Sequence, residues 1–72
     1  MARYTTRDRL WMFTMKRTHR DGGTIYADEL ASMADCAERT ARETLKTMTD
    51  GGVLRQETVD GRVRYRGVWE DV

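Results

Sequence analysis

Apolar residues recur along this chain at two spacings, and glycines separate the stretches in which each holds. From Thr6 to Arg20 the spacing is helical. At about 100° per residue, Leu10, Phe13 and Thr14 share one face. Trp11, Met12 and Met15 fall on another, so this helix is apolar over more of its girdle than one core requires. Thr5 and Asp8, three residues apart, resemble a capping box with a shortened acid. Arg17, His19 and Arg20 fall in the last turn, where cations suit the negative end of the helix dipole. Asp21-Gly22-Gly23 ends the segment.

Thr24-Ile25-Tyr26 is a short β-prone stretch. A second helix is expected over Ala27–Ala34, with Ala27, Leu30, Ala31 and Ala34 at inward spacing. Asp35-Cys36 breaks that pattern. A third helix runs from Ala37 or Glu38 to Asp50, with Ala41, Leu45 and Met48 inward and Gly51-Gly52 as its left-handed cap. The period then changes from helical to alternating. Val53 to Val59 and Arg62 to Val68 flank Asp60-Gly61, a two-residue type I′ turn signal. That turn pairs Val59 with Arg62, Thr58 with Val63, Glu57 with Arg64, Gln56 with Tyr65 and Arg55 with Arg66. Leu54, Gln56, Thr58, Val63 and Tyr65 then share one face of the ribbon. Arg55, Glu57, Arg62, Arg64 and Arg66 share the other, which is almost wholly basic. A one-residue slip would turn these arginines towards the core, which desolvation forbids.

Composition sharpens this picture. The chain has 72 residues, 13 Lys+Arg against 12 Asp+Glu, one His, one Cys and no Pro. That length supports a single domain over residues 1–72 that buries about 60% of the surface its unfolded form exposes. One cysteine makes no internal disulfide, and with one histidine it falls short of a four-ligand zinc site. No apolar run reaches a membrane span and the first residues do not form a signal peptide, so a cytoplasmic protein is expected. Net charge is only +1, so placement of charge matters more than its sum. Most of the cations are arginines, the side chain suited to bidentate contact with phosphate and guanine.

On the third helix Arg39, Arg42 and Lys46 recur at i, i+3 and i+7, opposite the apolar stripe, with Glu43 beside them. Such a line suits a helix lying in a major groove. It is also what an ordinary solvated face looks like when Glu43 pairs with Arg39 or Lys46. The basic ribbon face favours the first reading, because helix and ribbon together offer two cationic surfaces.

The order helix, short strand, helix, turn, helix, hairpin resembles the winged helix-turn-helix superfamily, especially small MarR-like prokaryotic and archaeal regulators. The resembling residues are Thr24-Ile25-Tyr26-Ala27-Asp28-Glu29-Leu30-Ala31, Ala37-Glu38-Arg39-Thr40-Ala41-Arg42, and Leu45 to Leu54 ending in Asp50-Gly51-Gly52-Val53-Leu54. The resemblance implies an α+β fold of three helices plus a C-terminal β-hairpin wing, with the third helix as recognition helix. It departs at Ala37 and Glu38, where the family often has a small residue and Ser or Thr.

The resulting expectation is a duplex-DNA-binding transcriptional repressor that acts by operator occupancy. Arg39, Arg42, Glu43 and Lys46 would face the major groove, and Arg55, Arg62, Arg64 and Arg66 would place the wing. Trp11, Met12 and Met15 would form a homodimer seam, or else cover the core end against Trp69. The alternative function is a winged-helix module that binds an acidic protein partner. Catalysis, cofactors and metals find no motif: His19 is a helix-terminal residue and Cys36 a small apolar residue in a turn.

Overall fold

A computed structural model of the chain describes residues 5–19 and 23–68. The described elements are α1 (Thr6–Thr18), β1 (Thr24–Ile25), α2 (Ala27–Ala34), α3 (Glu38–Asp50), β2 (Leu54–Val59) and β3 (Arg62–Gly67). The architecture is α+β, with three helices against one antiparallel sheet of order β1-β3-β2. Leu10, Ile25, Leu30, Leu45 and Met48 meet at the centre with no exposure, and Leu54 and Tyr65 close the sheet side. Each element thus contributes one or two large side chains to a core that a chain of this size cannot make larger.

The capping box opens α1 as its sequence suggests. The Thr5 hydroxyl accepts the Asp8 N–H at 3.1 Å, and the Asp8 carboxylate accepts the Thr5 N–H at 3.2 Å. The helix stops at Thr18, earlier than the expected Arg20, which lies with Asp21 and Gly22 outside the described residues. Its buried line is Leu10, Thr14 and Thr18, while Phe13 is half-buried against the core. Thr14 and Thr18 tolerate burial because their hydroxyls donate to the Leu10 and Thr14 carbonyls, at 2.7 and 2.8 Å. His19 is exposed, its Nδ1 2.6 Å from the Lys16 carbonyl.

Arginines of α1 tie it to α2. Arg9 donates to the Ala34 carbonyl at 2.8 Å, placing a cation on the C-terminal carbonyls of α2. Arg17 pairs with Glu29 at 2.8 Å. Glu29 also accepts the Tyr26 N–H at 3.0 Å, so one carboxylate caps α2 and holds α1 to it.

Two left-handed residues set where α3 begins and ends. Asp35 has φ 53° and ψ 56°, and the Cys36 N–H behind it donates to the Ala31 carbonyl at 3.0 Å. This is the Schellman arrangement, and it tucks Cys36 half-buried against the core. At the far end Gly52 has φ 82°, while Gly51 remains right-handed at φ −80°. Only Gly52 is the left-handed cap that the Gly51-Gly52 pair suggests. The Val53 N–H closes the motif on the Met48 carbonyl at 3.0 Å.

The ribbon has the expected register. Asp60 and Gly61 both have positive φ, 50° and 77°, as a type I′ turn requires. Every pair from Val59↔Arg62 to Arg55↔Arg66 is present, and Leu54↔Gly67 extends the ladder. The β1 partners of β3 are Arg66 for Thr24 and Tyr65 for Ile25, so Tyr26 belongs to the start of α2 instead. Burial corrects one expectation. On the inner face only Leu54 and Tyr65 are buried, while Gln56, Thr58 and Val63 are exposed. The ribbon therefore overhangs the core.

The two glycines separate backbone conformation from packing. A Cβ on Gly52 would meet nothing within 4 Å, yet Gly52→Ala should lose about 1–2 kcal/mol through the left-handed φ alone. Gly51→Ala, right-handed with its nearest atom at 3.5 Å, should be near neutral. Thermal unfolding should show a Tm drop of roughly 4–8 °C per kcal/mol in the first variant. Equal drops in both would contradict the cap assignment.

Candidate nucleic-acid interface

With Ala41, Leu45 and Met48 fully buried, α3 leaves Arg39, Arg42, Glu43 and Lys46 exposed. Arg39 meets Glu43 at 3.4 Å and Arg42 meets Glu38 at 3.0 Å, both at i,i+4. The first pair is 87% and 68% exposed, so it contributes little and yields readily to another anion. Lys46 has no ion pair among the described residues.

Between α3 and the ribbon lies an open groove of about 510 Å³. Arg42 and Lys46 of α3 and Arg62 of β3 line it, together with the acids Asp28, Glu38 and Asp50. Alternation puts Arg62 on the outer ribbon face, but its guanidinium lies 4.2 Å from the centre of the Tyr26 ring. From there its Nη2 donates to both Asp28 oxygens at 3.1 Å. Stacking and a two-oxygen acceptor orient this side chain more firmly than a single exposed ion pair would.

The remaining outer-face residues follow a different plan. Glu57 accepts from Arg64 Nε and from Arg66 Nη2, the latter at 2.9 Å. Hydrogen bonds from Arg66 and then Arg64 hold its carboxyl below the ordinary value of 4.5. Arg55, opposite Arg66, carries no ion pair among the described residues. The face is therefore less basic in effect than its composition suggests, since one carboxylate engages two of its arginines.

The sequence-derived site does not form one surface. Arg42, Lys46 and Arg62 come together in the groove. Arg55, Arg64 and Arg66 lie on the other face of the sheet, and Arg39 is not among the residues that line this groove. Glu43 lines a second, smaller groove of about 300 Å³ between α1 and α3, with Arg7 and Trp11. Of the three residues expected at a dimer seam, Trp11 and Met15 are half-buried against the core, and Met12 is 46% exposed. Trp69, the other expected cover for them, lies outside the described residues.

Sequence reasoning did not single out Tyr26, Asp28 or Gln56 as parts of the groove. The Glu38–Arg42 pair was legible as i,i+4 spacing. The Asp28–Arg62 pair spans 34 positions and had no local signal. Among the described residues no group of three or more His, Cys, Asp or Glu is placed to hold a metal, and no helix is long and apolar enough to cross a membrane.

Comparisons with protein-family models, with curated proteins and with solved structures give no match for this chain.

The lowered Glu57 carboxyl makes a stability prediction with a definite sign. Because its folded value lies below 4.5, its contribution is complete above 4.5 and disappears as pH falls through the lowered value. In urea titrations the parent should exceed Glu57→Gln in midpoint at neutral pH. The difference should shrink towards zero as pH falls through and below the lowered Glu57 value. A gap that stayed constant with pH would rule out the carboxylate as its source.

Proposed function

We propose that this chain is a winged helix-turn-helix domain that binds duplex DNA and represses transcription by occupying its site. In this reading α3 is the recognition helix and the β2–β3 ribbon is the wing. The observation that carries it is the joint placement of Arg42, Lys46 and Arg62. These cations come from two separate elements, α3 and β3, yet they line one open groove. The element order, helix-strand-helix-helix-hairpin with the first strand beside the last, supports the same reading.

Three acids balance the three groove cations. Long-range attraction to DNA is therefore small, and affinity comes from close contacts in which phosphates replace Glu38 at Arg42 and Asp28 at Arg62. The exposed Arg42–Glu38 pair exchanges at little cost, since such a pair is worth under ~1 kcal/mol, whereas the stacked Arg62 gives up Asp28 less readily. The same balance favours a second reading, a module whose groove takes a protein partner. Salt separates the two. Binding through about three phosphate contacts, at Arg42, Lys46 and Arg62, weakens roughly 40-fold between 50 and 200 mM salt, and a mainly apolar protein contact does not.

Arg42→Ala should cost ~1–3 kcal/mol on sites selected from random duplexes and relax preference at one base pair. Selection by the variant that matched the parent in affinity and sequence would exclude Arg42 from the interface.

Operators read as paired half-sites call for a dimer, and we assign the seam to the exposed edge of α1 around Met12. Sedimentation of Met12→Asp should show a folded monomer where the parent is dimeric. A parent that is monomeric at about tens of micromolar would exclude self-association of useful strength.

A further inference from the structure

We infer that the ribbon meets duplex DNA through its uncharged inner face, with Gln56 and Val63 as contact residues, and not through the outer arginines Arg55, Arg64 and Arg66. The inference rests on the DNA-binding reading and specifies which face of the wing serves it. Alternation places Gln56 and Val63 on the same side as buried Leu54 and Tyr65. The core ends beneath Leu54 and Tyr65, so the outer part of this face is bare: Gln56 is exposed and Val63 is 41% exposed. Both line the groove that holds Arg42 and Lys46. A duplex strand whose phosphates meet those two α3 cations therefore also meets Gln56 and Val63.

The outer face offers less. Glu57 already engages Arg64 and Arg66, whose side chains are only 26% and 35% exposed. The ribbon arginine that lines the groove, Arg62, does so by crossing Tyr26 towards Asp28. The groove-side chemistry also suits base reading. The Gln56 amide presents a donor and an acceptor together, the pair that recognises an adenine edge. The Val63 methyls suit a thymine methyl or a deoxyribose. Contacts of this kind carry sequence information that arginine–phosphate contacts lack.

A charge-matched pair of variants tests the assignment. Val63→Asp on the inner face and Arg55→Ala on the outer face each lower the net charge by one, so long-range electrostatics change alike. Circular dichroism establishes that both remain folded, and fluorescence anisotropy with a duplex selected by the parent reads affinity. Val63→Asp should weaken binding at least about tenfold and Arg55→Ala less than about twofold. Gln56→Ala should lose preference at one position of the selected sites. Equal losses in the charge-matched pair, or a larger loss for Arg55→Ala, would overturn the inner-face assignment while leaving DNA binding intact. Unchanged selection by Gln56→Ala would overturn its reading role. If the parent retains no duplex even at about 50 mM salt, the DNA-binding reading itself fails, and this inference falls with it.

Discussion

Complete burial of the inner stripe of α3 is the constraint on which the rest of the molecule depends. Ala41, Leu45 and Met48 have no exposure, and α3 packs on α1, α2 and β2 through them and Thr44. A helix so held cannot rotate about its axis without exposing Leu45 or Met48 and burying a charge. Rotation is therefore set, and with it the direction of Arg39, Arg42, Glu43 and Lys46. The left-handed residues at the two ends, Asp35 and Gly52, set its translation. Where the side chains of α3 point is a consequence of core packing and two turns.

Arginine does much of the structural work that a larger core would do elsewhere. Arg9 caps α2, Arg17 ties α1 to Glu29, Arg62 joins the ribbon to α2, and Arg64 and Arg66 enclose Glu57. Planar guanidinium groups suit this because one side chain can serve several acceptors or stack while it donates. The consequence for binding is that a count of arginines overstates the charge open to a ligand. Lys46 and Arg55 are the site cations without an ion pair among the described residues, and they lie on different surfaces.

The ribbon shows how a period of two can be read correctly and still mislead about surroundings. Alternation separates the faces, but it does not say how far the core extends beneath them. Here the support stops at Leu54 and Tyr65, and polar Gln56 sits on the nominal inner face because that part projects past the core.

Much of the architecture was legible in the residues themselves, because the physics involved is local. The Thr5–Asp8 box, the Ala27-Leu30-Ala31-Ala34 and Ala41-Leu45-Met48 stripes, and the Asp60-Gly61 turn with its register depend on neighbours within a few positions. What local reading leaves open shares one cause. The half-burial of Trp11 and Met15 and the meeting of Arg62 with Arg42 and Lys46 in one groove depend on what packs from elsewhere in the chain. Arg62 is the clearest case. Alternation assigns it to the outer face with Arg64 and Arg66, but Tyr26 and Asp28, more than thirty positions away, draw it to the groove. The sequence by itself determined the order of the elements, the inward stripes of α2 and α3 and the register of the ribbon, because these rest on local spacing. Only the tertiary structure decided which charges meet, because ion pairing and stacking act across space between segments that no sequence period connects.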